Sequence, residues 1–164
     1  MFLLDAEILF DLRHARADGE GAALAGWAQR TSRQSMFLSA LSLVELENAA
    51  ALAAKLGKAA GAAWRDWLHG QVLPAFEGRV LPVDLAVVRR RAALALDHDR
   101  DALLAATALE HGLTFVTYRA AAFRGTRVKL LDPSRISADA GDDGDWREAT
   151  RGRSPWIRSL FIRG

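Results

Sequence analysis

Apolar residues fall in short blocks that alternate between two spacings. Met1 to Asp5 opens with a continuous apolar run, the pattern of a short buried strand, and Ala6 to Arg16 then sets Ile8, Leu9 and Leu12 at helical spacing. Asp18 to Gly21 is a break, and a second helix is expected over Ala22 to Arg30. Met36 to Ala40 reads as a strand. Ser42 then stands three residues before Glu45, a capping-box spacing for a helix that runs to about Leu56. Ala59 to Phe76 places Trp64, Trp67 and Leu68 on one helical face, and Pro74 marks where that helix ends or kinks. Val80 to Val83 is strand-like, and Leu85 to Leu96 is helical with Arg89, Arg90 and Arg91 on a solvated face. A helix from Asp101 to His111, begun near Asp99, is stopped by Gly112. Leu113 to Thr117 and Val128 to Leu131 complete the strands. Such alternation predicts an α/β fold with a central, mainly parallel sheet.

Composition narrows this picture. At 164 residues and 51% hydrophobic, the chain can bury one full core, which excludes disorder for most of its length. It has no cysteine, so disulfides, thiolate zinc sites and cysteine nucleophiles are excluded. The opening MFLLDAEILF lacks a basic leader, and Asp5 and Glu7 interrupt it, so it does not read as a signal peptide. The uncharged run Ala102 to Leu109 is far short of the ~20 residues that cross a bilayer. A soluble, cytoplasmic protein with no membrane partner is expected. The net charge of +2 hides a division. Residues 146–164 hold Arg147, Arg151, Arg153, Arg158 and Arg163 against Glu148 alone, which leaves the body slightly acidic. Residues 1–136 therefore read as the folded domain, and 137–164 as an acidic linker with a basic, aromatic tail carrying Trp156 and Phe161.

Candidate chemistry lies in the acids. Ligands of parallel α/β sheets gather at the carboxyl ends of the strands. Asp5 ends the first strand, Glu45 lies one turn into the helix after the second, and Asp101 begins a later helix. Three carboxylates converging there would repel by about 4 kcal/mol per close pair at an effective dielectric near 20, a cost that a bound cation offsets. Hard oxygen ligands select Mg2+ or Mn2+. The alternative is that Asp5 and Asp101 cap helices and Glu45 completes its capping box. Spacing alone leaves both open.

At these residues the chain resembles the PIN-domain ribonucleases, specifically the toxin subunits of VapBC and FitAB toxin–antitoxin pairs. FLLDAEIL resembles that family's first strand and first acid, and FLSALSLVELENA its second strand and acidic helix. WRDWLHGQVLPAFEGRVLPVD is similar to the central helix and the strand that follows it. DALLAATALEHGLTFVT, the most specific match, carries the third acid. The resemblance covers about residues 1–133. It implies a three-layer α/β/α fold and a Mg2+- or Mn2+-dependent endoribonuclease toxin that hydrolyses RNA, forms a homodimer and is inhibited by a cognate antitoxin. It assigns the metal and the catalysis to Asp5, Glu45 and Asp101. Asp5 and Asp101 would be the main ligands, and Glu45 would act directly or through water. Thr117 would hydrogen-bond a ligating acid or simply fill its strand.

The pattern breaks in three places. Glu7 stands where the family has Asn, Arg119 where it has a second Asn, and Ala122 where it has a fourth acid ahead of Phe123. Glu7 restores the lost charge, or Glu7 pairs with Arg119, or Arg119 reaches Asp5 or Asp101 and stands in for the metal. The last reading makes the chain a catalytically degenerate PIN dimer with a binding role. DNA as the substrate would use the same acids. Arg13, Arg16 and Arg100 read as exposed arginines with a possible role at RNA phosphates, and His98 as a surface residue. The tail is expected to contact RNA or to fold back over the acidic site.

Overall fold

The computed structural model describes residues 1–15 and 21–136. Arg16 and the linker and tail of residues 137–164 lie outside the described residues, and so does the docked role expected of that tail.

Five short strands form one sheet: β1 (Phe2–Leu4), β2 (Met36–Ser39), β3 (Val80–Leu81), β4 (Thr114–Val116) and β5 (Lys129–Leu131), in the order β3-β2-β1-β4-β5. All four pairings are parallel. Parallel strands buried on both faces have to be apolar throughout, which is why β1 and β2 read as unbroken runs. Alternate residues face opposite layers. Leu4, Leu38 and Val116 pack against α1 (Ala6–His14), α2 (Ala22–Arg30), α3 (Ala40–Leu56) and α4 (Lys58–Trp67). Leu3 and Phe115 pack on the other side, where α7 (Asp99–Glu110) supplies Leu104, Ala105 and Ala108 and Leu94 follows α6 (Leu85–Ala92). This is the expected three-layer α/β/α architecture. Among the described residues no helix is long and apolar enough to cross a membrane.

Several elements differ from the sequence pattern. Ser39, not Ser42, caps α3, accepting from the Leu41 N–H at 3.2 Å, so Glu45 belongs to no capping box. Ser42 sits inside α3, where its hydroxyl donates to the Leu4 carbonyl. The helix expected over Ala59 to Phe76 is α4, a π-helical turn over Leu68–Val72 and a last turn α5 (Leu73–Ala75). A proline ring clashes with the carbonyl four residues back, and the wider turn ahead of Pro74 relieves that clash. α6 stops at Ala92, four residues short of the expected end. Gly112 ends α7 as expected, with φ of +63°.

Arg13 is buried rather than exposed. Its guanidinium lies 4.0 Å from the centre of the Trp64 ring and 5.0 Å from that of Trp67. That cation–π stack rules out the phosphate contact suggested by its sequence position.

α3 and α4 cross closely at Gly61. A Cβ there would lie 2.6 Å from both Cα and Cβ of Ala54. Alanine normally stabilises a helix interior by up to about 1 kcal/mol over glycine, but overpacking a tight contact costs about 1–3 kcal/mol. The clash should win. Gly61→Ala is therefore expected to lower the urea midpoint, and an unchanged or raised midpoint would contradict so close a crossing.

Candidate active site

Strand order reverses between β1 and β4, and the crevice at that switch point holds the acids. β1 gives way to Asp5, whose N–H donates to the Val116 carbonyl at 3.1 Å. Asp5 is fully buried, and each of its oxygens has a local donor. Oδ1 caps α1 by accepting from the Ala6 N–H at 2.9 Å, and Oδ2 accepts the Thr117 hydroxyl at 2.8 Å. Thr117 reaches it because β1 and β4 are neighbours with Leu4 opposite Val116. The same hydroxyl accepts the Arg119 N–H at 3.1 Å. Glu45 comes from α3. Asp101, the third residue of α7, is buried instead of standing at a solvated helix end.

What joins the three acids is an arginine. The Arg100 guanidinium donates from Nη2 to Asp5 Oδ1 at 2.6 Å and to Glu45 Oε2 at 2.9 Å, and from Nη1 to Asp101 Oδ1 at 3.0 Å. Its Nε donates to Glu45 Oε1. Arg119 makes a two-pronged contact with Asp101, from Nη1 to Oδ1 at 3.0 Å and from Nη2 to Oδ2 at 2.7 Å. Arg100 was read from sequence as an exposed arginine, and the structure corrects that. The one signal available was its place beside Asp101 in the first turn of α7.

Of the three readings of the altered positions, the pairing of Glu7 with Arg119 is not found. Glu7 has no ion-pair partner among the described residues. Burial, followed by the charge of Asp5, pushes its carboxyl above the usual range, and Arg100 and Arg119 offset this in part. Arg119 does reach Asp101. Hydrogen bonding to Glu45 holds the Arg100 guanidinium charged against the opposing effect of its burial. Ala122 is exposed and lines, with Asp101, Arg119 and His98, an open cavity of about 360 Å³. His98 is on the surface, as expected.

Residues 2–126 match the PIN domain family. The chain belongs to that family. A VapC ribonuclease, Y4jK of Sinorhizobium fredii, is 30% identical over 141 residues, spanning 81% of this chain and 97% of that protein. The crystal structure of FitAcB from Neisseria gonorrhoeae superposes with a TM-score of 0.74 at 25% identity, over 83% of this chain and all of that one. VapBC2 of Rickettsia felis, solved bound to a promoter DNA fragment, shares the fold at a TM-score of 0.56 and 18% identity, over 79% of this chain and 96% of that one.

PIN-domain nucleases of the VapC type generally use a divalent metal, and the residues of this PIN domain can be tested for their fit to one. Asp5, Glu7, Glu45 and Asp101 bring four negative charges against two from Arg100 and Arg119. The acids outnumber the arginines by two, so the site is negative with Arg100 in place and more so once it leaves, which suits a divalent cation. All the acid donors are hard carboxylate oxygens, the type that Mg2+ and Mn2+ select. Among the described residues no three acids are spaced to hold an ion, and Arg100 bridges Asp5, Glu45 and Asp101. The donor set fits in chemistry and charge, and its present spacing is that of a guanidinium.

Tyr118, the only tyrosine of this PIN domain, reports on the same strand end. Burial, then its hydrogen bond to Asp11 and the negative charges of Asp11 and Asp132, push its phenol above the ordinary value. The folded state therefore keeps the phenol proton where the unfolded chain, with a pKa of about 10, has lost it. Stability from Tyr118 is complete below about pH 10 and declines as pH rises toward the folded value. An ultraviolet phenolate titration should show a delayed transition in native protein and an ordinary one in urea; coincident transitions would refute the half-buried phenol beside Asp11.

Proposed function

We propose that this PIN-domain protein is the toxin of a type II toxin–antitoxin pair and acts as a Mg2+- or Mn2+-dependent endoribonuclease. One observation carries the reading. Carboxylates from three separate elements converge so closely that a single guanidinium hydrogen-bonds to all three. Such a cluster is stable only around a cation. The names of the similar proteins support the rest of the reading: Y4jK is a VapC ribonuclease, and the structural neighbours are FitAcB and VapBC2. A cognate antitoxin is the inferred protein partner and RNA the inferred substrate. The apolar face that α3 leaves exposed at Val44, Leu52 and Leu56 supports a homodimer.

In this reading Asp5 and Asp101 bind the ion, and Glu45 binds it directly or holds the attacking water. Once bound, the metal supplies a water of lowered pKa and neutralises charge on the phosphodiester. Thr117 and the Ala6 N–H fix the Asp5 carboxylate in one orientation, so its oxygens need no reorganisation.

A second reading has a specific observation behind it. Every oxygen of Asp5, Glu45 and Asp101 already accepts a hydrogen bond, and Ala122 contributes no fourth acid. A catalytically degenerate PIN domain that binds its partners would look the same. Incubating purified protein with mixed RNA, with Mn2+ or with chelator, beside Asp5→Asn, separates the two. Metal-dependent cleavage that vanishes in Asp5→Asn supports the nuclease, whereas no cleavage and no Mn2+ binding by folded protein supports the degenerate domain.

A further inference from the structure

Arg100 and Arg119 both touch the acid cluster, but they occupy different places in it. Arg119 engages Asp101 alone, from one side, and leaves Asp5 and Glu45 free. Arg100 stands between the acids, with donors on Asp5, Glu45 and Asp101 at once. A planar guanidinium with several fixed donors can serve three carboxylates in this way. A divalent ion shared by the same oxygens would have to lie where the guanidinium lies, within a few ångströms of its positive charge. The two cations exclude each other. Arg100 also has somewhere to go, since it sits in the first turn of α7 with 27% of its side chain exposed.

We infer that Arg100 is an internal cation that holds the carboxylate cluster of the metal-free protein together and must swing into solvent before a divalent ion is held, so that this residue sets the metal affinity of the site. The inference rests on the metal-site reading above. It makes metal loading a competition between the ion and the protein's own side chain. Metal affinity is then lower than the bare acids would give, and the metal-free domain is protected from the mutual repulsion of its acids.

The test is Mn2+ binding by the full-length chain, measured by calorimetry on wild type, Arg100→Gln and Arg100→Lys. Arg100→Gln is expected to bind at least about tenfold more tightly than wild type, a gain of about 1.4 kcal/mol. Arg100→Lys should fall between them, because it keeps the charge and loses the fork. Equal or weaker binding by Arg100→Gln, with wild type binding, overturns the role of Arg100 and leaves the metal site standing. No binding by any folded form overturns both. A measurement on wild type alone guards against a variant that does not fold. The Arg100 Nε–H bonded to Glu45 should give a protected amide-like resonance that is lost on adding Mg2+, and its survival at Mg2+ saturation would overturn the inference.

Discussion

Asp101→Asn is expected to abolish Mn2+ binding and to lower metal-dependent RNA cleavage by about a hundredfold or more. Asp101 is buried at the start of α7 and accepts from both arginines of the site, with Arg119 contacting both of its oxygens. Asparagine keeps the shape but removes the charge and turns one acceptor into a donor facing a guanidinium. In the proposed nuclease it also removes a direct metal ligand. Residues that merely support a ligand are worth about 10–100-fold in metal affinity or activity, so a ligand itself should cost at least that much. Circular dichroism must accompany the assay, because the change also leaves Arg119 without its carboxylate partner. Cleavage that persists in a folded Asp101→Asn protein would move the chemistry away from this cluster.

Phe115→Ala should have the largest effect on stability, a loss of about 3–5 kcal/mol. Phe115 is the middle residue of β4 and fully buried. Its ring meets Phe123 edge-on at 5.2 Å between centroids and packs among Leu104, Ala105 and Val128. Alanine leaves a cavity that the flanking strands cannot close, because β4 is paired on both sides, with β1 and β5. A domain of ordinary stability has about 5–15 kcal/mol to lose, so the variant should remain folded but near its limit. The site should suffer too. Thr117 lies two residues further along the same chain, and the Asp5 carboxylate takes its orientation from that hydroxyl. Urea denaturation gives the stability loss. Mn2+ affinity measured in the same preparation is expected to fall. A loss below about 1 kcal/mol would mean that the core around β4 repacks freely, contrary to a rigid strand pair.

The alternation of strands and helices was legible because local spacing governs it. The runs FLL and MFLS announce strands buried on both faces, and α2 spans the nine residues that its pattern predicts. The end of α6 was misplaced because apolar residues continue to Leu96, although the helix stops at Ala92. The cap of α3 was misplaced because two serines stood near the boundary. The strand ends at Ser39, so that residue rather than Ser42 meets the free N–H groups.

From the sequence, Asp5, Glu45 and Asp101 could each be placed at a strand end or an early helical turn of a parallel sheet, and the family resemblance joined them into one site. Only the tertiary structure decided which cation they meet. Arg100 is 95 residues from Asp5 and 55 from Glu45, and no periodicity links a long charged side chain to partners that far away. Arg13 illustrates the same limit from the opposite side, as an arginine buried against Trp64 instead of solvated. Helix and strand positions follow from the spacing of neighbours along the chain. The final position of an arginine head group follows from charge and surface that the fold assembles around it.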